Sequence, residues 1–167
     1  MDNVLHPVIR EMNDFDIDGV FALWHKLAED QFIKNKYIVK NRVQQFDIHE
    51  YFSKCLKNKN CKVFVAEYKN MLIGFAEVWI CKKDIMFEVE DFAYILHFFV
   101  DKDLSKGLNP LTVPSELYKQ CESWGIRHNL NYLCYDVYGC NSRVNKIIME
   151  GLKVKPYKIR YAKKLIK

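Results

Sequence analysis

No apolar run in the 167-residue chain approaches the ~20 residues that a bilayer span requires. The opening stretch "MDNVLHPVIREMND" lacks a basic start followed by an apolar segment, so no secretion signal is read there and a cytoplasmic protein is expected. The six cysteines, at 55, 61, 81, 121, 134 and 140, include no C-x-x-C pair, and no histidine stands at zinc-finger spacing from them. Reduced, mostly buried thiols are expected instead, and no metal site. No internal repeat, low-complexity tract or linker interrupts the sequence, which predicts one domain over 1–167.

What the chain does have is enough apolar material for a core. Half of its residues are hydrophobic and 28% are charged, as in ordinary folded proteins. The net charge of +5 is uneven. Residues 153–167 hold Lys153, Lys155, Lys158, Arg160, Lys163, Lys164 and Lys167 with no acid, so the remainder is slightly acidic. The basic residues alternate with apolar ones, as in a strand with one solvated face, and nucleic-acid binding is not expected.

The periodicities predict β-α-α-β-β-β-α-β-α-β. "PVIREM" (7–12) reads as a short strand, and "NDFDID" supplies caps for a helix with Ile17, Val20, Phe21, Trp24, Leu27 and Ala28 at helical spacing. Asp47 and Glu50 resemble a capping box before Ile48, Tyr51, Phe52, Cys55 and Leu56. The aromatic side chains of this region (Phe15, Phe21, Trp24, Phe32, Tyr37, Phe46, Tyr51 and Phe52) are expected mainly in the core. "CKVFVAEY" and "MLIGFAEVWI", separated by Lys69 and Asn70, predict a hairpin. "FAYILHFFV" is nearly continuously apolar, as a strand buried on both faces would be. A helix carrying Leu117, Tyr118, Cys121 and Trp124 follows, then a strand "NYLCYDVY", a helix ending at a left-handed Gly151, and a last strand "YKIRYAKKL".

That order, together with "MLIGFAEVWI", "ILHFFVDKDLSKGL", "CESWGIRHNLNYLCYDVY" and "CNSRVNKIIMEGLKVKPYKIRYAKKL", resembles the GNAT superfamily of acyl-CoA-dependent N-acetyltransferases over nearly the whole chain. The resemblance implies a mixed, mostly antiparallel central sheet flanked by helices, with acetyl-CoA as co-substrate. It also implies a small-molecule or peptide amine as acceptor, and homodimers are frequent in such proteins. By position, Phe98, Phe99 and Val100 would offer strand backbone to the pantetheine arm, and Asn141 would lie near it or cap the last helix.

The stretch "DKDLSKGLNPLTVPSE" occupies the place of the pyrophosphate loop but departs from the pattern Q/R-x-x-G-x-G/A. Counted from Gly107, Leu104 and Asn109 replace the first and last of these residues. Counted with a longer loop, Thr112 and Pro114 fall at the glycine positions. Thr112 is expected as the helix cap in that second register, and Asn109, at a glycine position in the first, is the non-glycine residue type most tolerant of a left-handed turn. Ser105, Lys106, Gly107, Leu108, Asn109 and Thr112 are therefore the candidate anion-binding residues, through a hydroxyl, a charge and amides. Pro110 and Pro114 donate nothing.

Acetyl transfer to an amine needs a base for the ammonium and a proton for the leaving thiolate. Ile147 stands where many relatives carry the acidic tyrosine, so Tyr138 is the candidate for that role. His97 is the candidate base, set against the alternative of a packed, hydrogen-bonded histidine. Glu77, Glu88, Glu90 and Asp91 could attract an amine, and each is expected to be an ordinary surface charge. An N-acetyltransferase is the favoured function. The alternative is a module of the same fold that binds CoA or another anion without turnover.

Overall fold

A computed structural model describes residues 6–34, 46–82, 91–136 and Gly151. Strand β1 is Val8–Glu11, β2 is Cys61–Tyr68, β3 is Met71–Cys81, β4 is Phe92–Val100 and β5 is Leu133–Tyr135. Helix α1 is Ile17–Lys34, α2 is Ile48–Lys57 and α3 is Thr112–Arg127. Among the described residues the strands form one sheet in the order β1-β2-β3-β4-β5, antiparallel except for the parallel β4–β5 pair. This is the mixed, mostly antiparallel sheet that the resemblance implied. The expected last helix and strand lie outside the described residues, apart from Gly151, which is helical with no left-handed φ.

Side-chain alternation along the strands divides the core into two layers. Val63 and Val65 of β2 and Phe75 of β3 face α1 and α2, packing with Val20, Leu23, Trp24, Ile48, Phe52 and Cys55. Phe64 and Ala66 of β2, Ala76 and Val78 of β3, and Ala93 and Ile95 of β4 face α3, packing with Val113, Leu117, Cys121 and Trp124. A strand period of two, met on each side by helices at a period near 3.6, produces this sandwich.

Local chemistry fixes where elements start and turn. Asn13 caps a single 3-10 turn at Asp14–Asp16 with a reciprocal capping box, and Arg10 forks onto Asp16 (2.6 and 2.8 Å) and Glu67 (2.9 and 3.2 Å). That fork ties β1, the entry to α1 and β2 together. Asp47 caps α2 through the amide of Glu50 at 2.9 Å. Phe46, just before the cap, packs on Tyr51 in the first turn (ring centroids 5.4 Å apart), forming a hydrophobic staple. Between β2 and β3, Lys69 (φ 52°) and Asn70 (φ 60°) are both left-handed, as a two-residue hairpin matching strand twist requires.

Three expectations about burial and caps change. β4 is not buried throughout: Ala93 and Ile95 are, but Leu96 is 44% exposed and Phe98, Phe99 and Val100 are only half-buried. The parallel partner β5 reaches only Ile95, so the second half of β4 has no described neighbour on that edge. The aromatic residues also split. Trp24 and Phe52 are core, whereas Phe15 is 97% exposed, and Phe32 and Phe46 are exposed. Thr112 begins α3 but does not cap it: the cap is Leu111, which makes no side-chain hydrogen bond.

The register has two irregularities, both in β3 pairings. Pairing passes from Ala66↔Gly74 to Glu67↔Leu72, leaving Ile73 extra, and from Glu77↔His97 to Val78↔Ile95, leaving Leu96 extra. Gly74 stands opposite Val100, and a Cβ there would lie 2.9 Å from the Phe99 carbonyl oxygen and 3.1 Å from Val100 Cγ2. Gly74→Val is therefore expected to lower stability by about 1–3 kcal/mol in a urea titration, because strand backbone must move to admit the side chain.

Candidate active site

Position 77 of β3 points into the largely apolar layer beneath α1 and α2, yet it is a glutamate with no exposed surface. Three donors meet it. Tyr51 O–H from α2 and Trp79 Nε1–H from two residues along β3 both donate to Oε1, and His97 Nδ1 of β4 lies 2.6 Å from Oε2. A carboxylate only accepts, so Nδ1 carries the hydrogen toward Glu77, and the neutral imidazole has its lone pair on Nε2. No partner for Nε2 is found among the described residues, and the His97 side chain is partly exposed. Burial first, then the charge of Glu77, pushes the Tyr51 phenol well above its usual range, which keeps it a donor.

The extra residue Leu96 sits beside this pair. A bulge redirects the strand that carries it, and here it coincides with the opposition of Glu77 and His97 and with the end of the β4–β5 pairing. From there to Val100, no described strand pairs with the far edge of β4.

Beyond Val100, the loop is organised by the buried Asp101. Its Oδ1 accepts the amides of Asp103 (2.9 Å) and Leu104 (3.2 Å), and its carbonyl accepts the Ser105 amide (3.0 Å) and hydroxyl (2.7 Å). Lys26 of α1 holds Oδ2. Desolvation alone would raise this carboxyl, but Lys26 and the two amides hold it below its usual value. Further along, the Lys106 amide bonds the Asp103 carbonyl and the Leu108 amide bonds that of Ser105. Asn109 accepts the amides of Leu111, through its side chain, and of Thr112. Gly107 alone in the loop is left-handed (φ 93°), with open space where a Cβ would be. The amides of Lys102, Gly107, Asn109 and Val113 meet no acceptor among the described residues.

No family model matches the sequence, and no curated protein sequence matches it. Solved structures do match. A mutant of the BH1408 protein from Bacillus halodurans superposes with a TM-score of 0.79 at 17% identity, over 95% of this chain and 99% of that one. The aminoglycoside N-acetyltransferase AAC(6')-Iy, in complex with the bisubstrate analog CoA-S-monomethyl-acetylneamine, superposes with a TM-score of 0.71 at 15% identity, over 96% and 99% of the two chains. The aminoglycoside 6'-N-acetyltransferase AAC(6')-Ih of Acinetobacter baumannii superposes with a TM-score of 0.66 at 12% identity, over 97% and 100%. The chain has the GNAT fold.

Within this GNAT fold the residues singled out in the sequence separate into three groups. His97, Phe98, Phe99 and Val100 lie together on the half of β4 beyond its pairing with β5. Ser105, Lys106, Gly107, Leu108, Asn109 and Thr112 form the loop and the first residue of α3. Tyr138 and Asn141 lie outside the described residues, as do Glu88 and Glu90. Two loop expectations are corrected. The Ser105 hydroxyl spends its hydrogen on the Asp101 carbonyl, and Asn109 is not left-handed, that conformation falling on Gly107. Lys106 is exposed and forms no ion pair among the described residues.

Glu77 was expected at the surface and is the most consequential correction. Its partners Tyr51 and Trp79 were not singled out for it. The one available signal was a carboxylate at an inward position of an alternating strand, in "GFAEVWI". Cys55 and Cys61 are also buried beside it, their sulfurs and a Glu77 oxygen lying within 4.8 Å of one another. A hydrogen bond with Cys55, then burial, pushes the Cys61 thiol far above its usual range. Two donors already occupy the Glu77 oxygen nearest Cys55, so the three groups read as a hydrogen-bonded part of the core.

The loop geometry implies a pH dependence. Because Asp101 titrates below its unfolded value near 3.8, its stabilisation is fully present above that pH and is lost as pH falls through the lower folded value. Asp101→Asn is expected to lower the melting temperature at pH 7 and to flatten its decline below pH 4. Parallel acid limbs in a thermal melt series of the two proteins would contradict this.

Proposed function

We propose that the protein is an N-acetyltransferase that uses acetyl-CoA and a primary amine of a small molecule or peptide, by direct transfer in a ternary complex. The observation that carries this reading is the Glu77–His97 pair at the bulge, next to the half of β4 that lies beyond its described pairing with β5. Support also comes from the likeness to enzymes named as N-acetyltransferases, one of them in complex with a bisubstrate analog built on CoA.

Acetyl-CoA would supply the activated acyl group. Backbone of Phe98, Phe99 and Val100, on β4 beyond its described pairing with β5, would hold the pantetheine. The Lys106 ammonium and the amides of Gly107, Asn109 and Val113 would meet the pyrophosphate at the start of α3, with Leu108 and Thr112 shaping the turns between them. Most other amides of the loop are committed internally, so charge from Lys106 carries more of this binding than in a glycine-rich loop.

An amine reaches the site as an ammonium ion and must lose a proton before it can attack. His97 accepts that proton at Nε2, either directly or through one water. Glu77 keeps the other nitrogen protonated and stabilises the positive charge the ring acquires. Glu77 is thus a positioning residue, and Tyr138 is assigned the proton for the departing thiolate from its place after β5 in the sequence.

The test is thiol release from acetyl-CoA with a panel of amines, alongside thermal melting with acetyl-CoA. Acetyl-CoA is expected to raise the melting temperature, because ligand binding stabilises the native state. His97→Ala is expected to lower kcat about 100-fold while preserving that rise. Glu77→Gln, whose amide nitrogen must face either His97 Nδ1 or the Tyr51 and Trp79 donors, is expected to lower kcat and alter its pH profile. A thermal rise without turnover on any amine would instead favour a module that binds CoA without chemistry.

A further inference from the structure

His97 closes a circuit of four aromatic rings. Its ring centroid is 6.4 Å from that of Trp24 on α1 and 6.5 Å from that of Tyr51 on α2, both edge-on. Phe46 joins the other two, 6.3 Å from Trp24 and 5.4 Å from Tyr51. Behind Trp24, His25 packs on Phe21 at 4.5 Å, and His49 packs on the same ring at 4.8 Å. Tyr51 and His97 are anchored from beneath by Glu77, while Phe46 is 49% exposed. The staple that starts α2 thus leaves a large apolar ring at the surface, within one ring of the imidazole whose Nε2 meets no partner among the described residues.

We propose that this circuit is the seat of the acceptor, and that the acceptor is a singly charged amine on an aromatic or apolar frame rather than a polycation. The inference rests on the N-acetyltransferase reading and specifies its substrate. Aromatic faces attract an ammonium ion through their quadrupole and bury an apolar frame at the same time. A polycation needs carboxylates for its further charges, and among the described residues the carboxylate that bonds to these four rings is Glu77. Glu77 is fully buried and already receives Tyr51, Trp79 and His97. A second cationic group seated here would compete for the same ring faces and find no open carboxylate within the circuit.

The experiment compares 2-phenylethylamine and tryptamine with spermidine and kanamycin as acceptors, by thiol release from acetyl-CoA with the wild-type protein. The expected result is a kcat/KM for the aromatic amines at least about tenfold above that for either polycation. Phe46→Ala, at a half-exposed position, is expected to raise KM for 2-phenylethylamine about fivefold and to leave KM for acetyl-CoA unchanged. Equal or better use of spermidine or kanamycin would overturn the inference while leaving the acetyltransferase reading in place. Turnover of none of the four amines would overturn the inference, and absence of turnover across a wider amine panel would overturn the underlying reading as well.

Discussion

A carboxylate sealed inside an apolar layer is the constraint on which the rest of this structure depends. Removing an ion of this size from water costs several kcal/mol even after relaxation, and only well-placed donors offset that cost. Glu77 receives them from three places: Tyr51 on α2, Trp79 on its own strand and His97 on β4. The arrangement therefore reports on helix docking, strand register and bulge position together. Displacing any one leaves a buried charge short of a partner, which is why the bulge at Leu96 and the docking of α2 behave as parts of one device.

The same constraint produces the chemistry. A histidine in an apolar strand would ordinarily satisfy both nitrogens or lie buried without effect. Here the acceptor-only carboxylate dictates which nitrogen bears hydrogen, and the part of the ring away from Glu77 stays accessible. The loop after β4 applies the same principle at lower cost. Asp101 gathers two amides and a lysine and so builds turns that other sequences obtain from glycines. Only Gly107 has to be left-handed, so a loop with a single glycine and two prolines still reverses the chain before α3. Pro110 and Pro114 lie where the helix begins, a region whose amides lack intrahelical partners in any case.

The fold was largely legible because its signals are local. Alternation in "CKVFVAEY" and "MLIGFAEVWI", the left-handed pair Lys69–Asn70, and the face of Leu117, Tyr118, Cys121 and Trp124 each specify an element without reference to the others. The site was legible only in part. His97 and the residues after it were found from their place on a strand, but Glu77 was read as a surface charge because carboxylates are rarely buried. What overrides that tendency is three partners drawn from positions 51, 79 and 97, and no local pattern joins those positions. Phe15 and Phe46 failed in the opposite sense. Their apolar character predicts burial, whereas cap and turn geometry holds them outward. Ser105 and Asn109 were misread for a related reason, since the loop's own hydrogen bonds, centred on Asp101, decide how both residues are used.

The central claim is that Glu77 fixes His97 with its hydrogen on Nδ1 and its lone pair on Nε2. Nitrogen-15 chemical shifts of the His97 ring in histidine-labelled protein, followed through a pH titration, read that tautomer directly. The account predicts that the neutral ring is protonated at Nδ1, and that Nε2 is the nitrogen gaining a proton as pH falls. A neutral ring protonated at Nε2 would contradict it, because His97 would then have no base to offer an incoming amine.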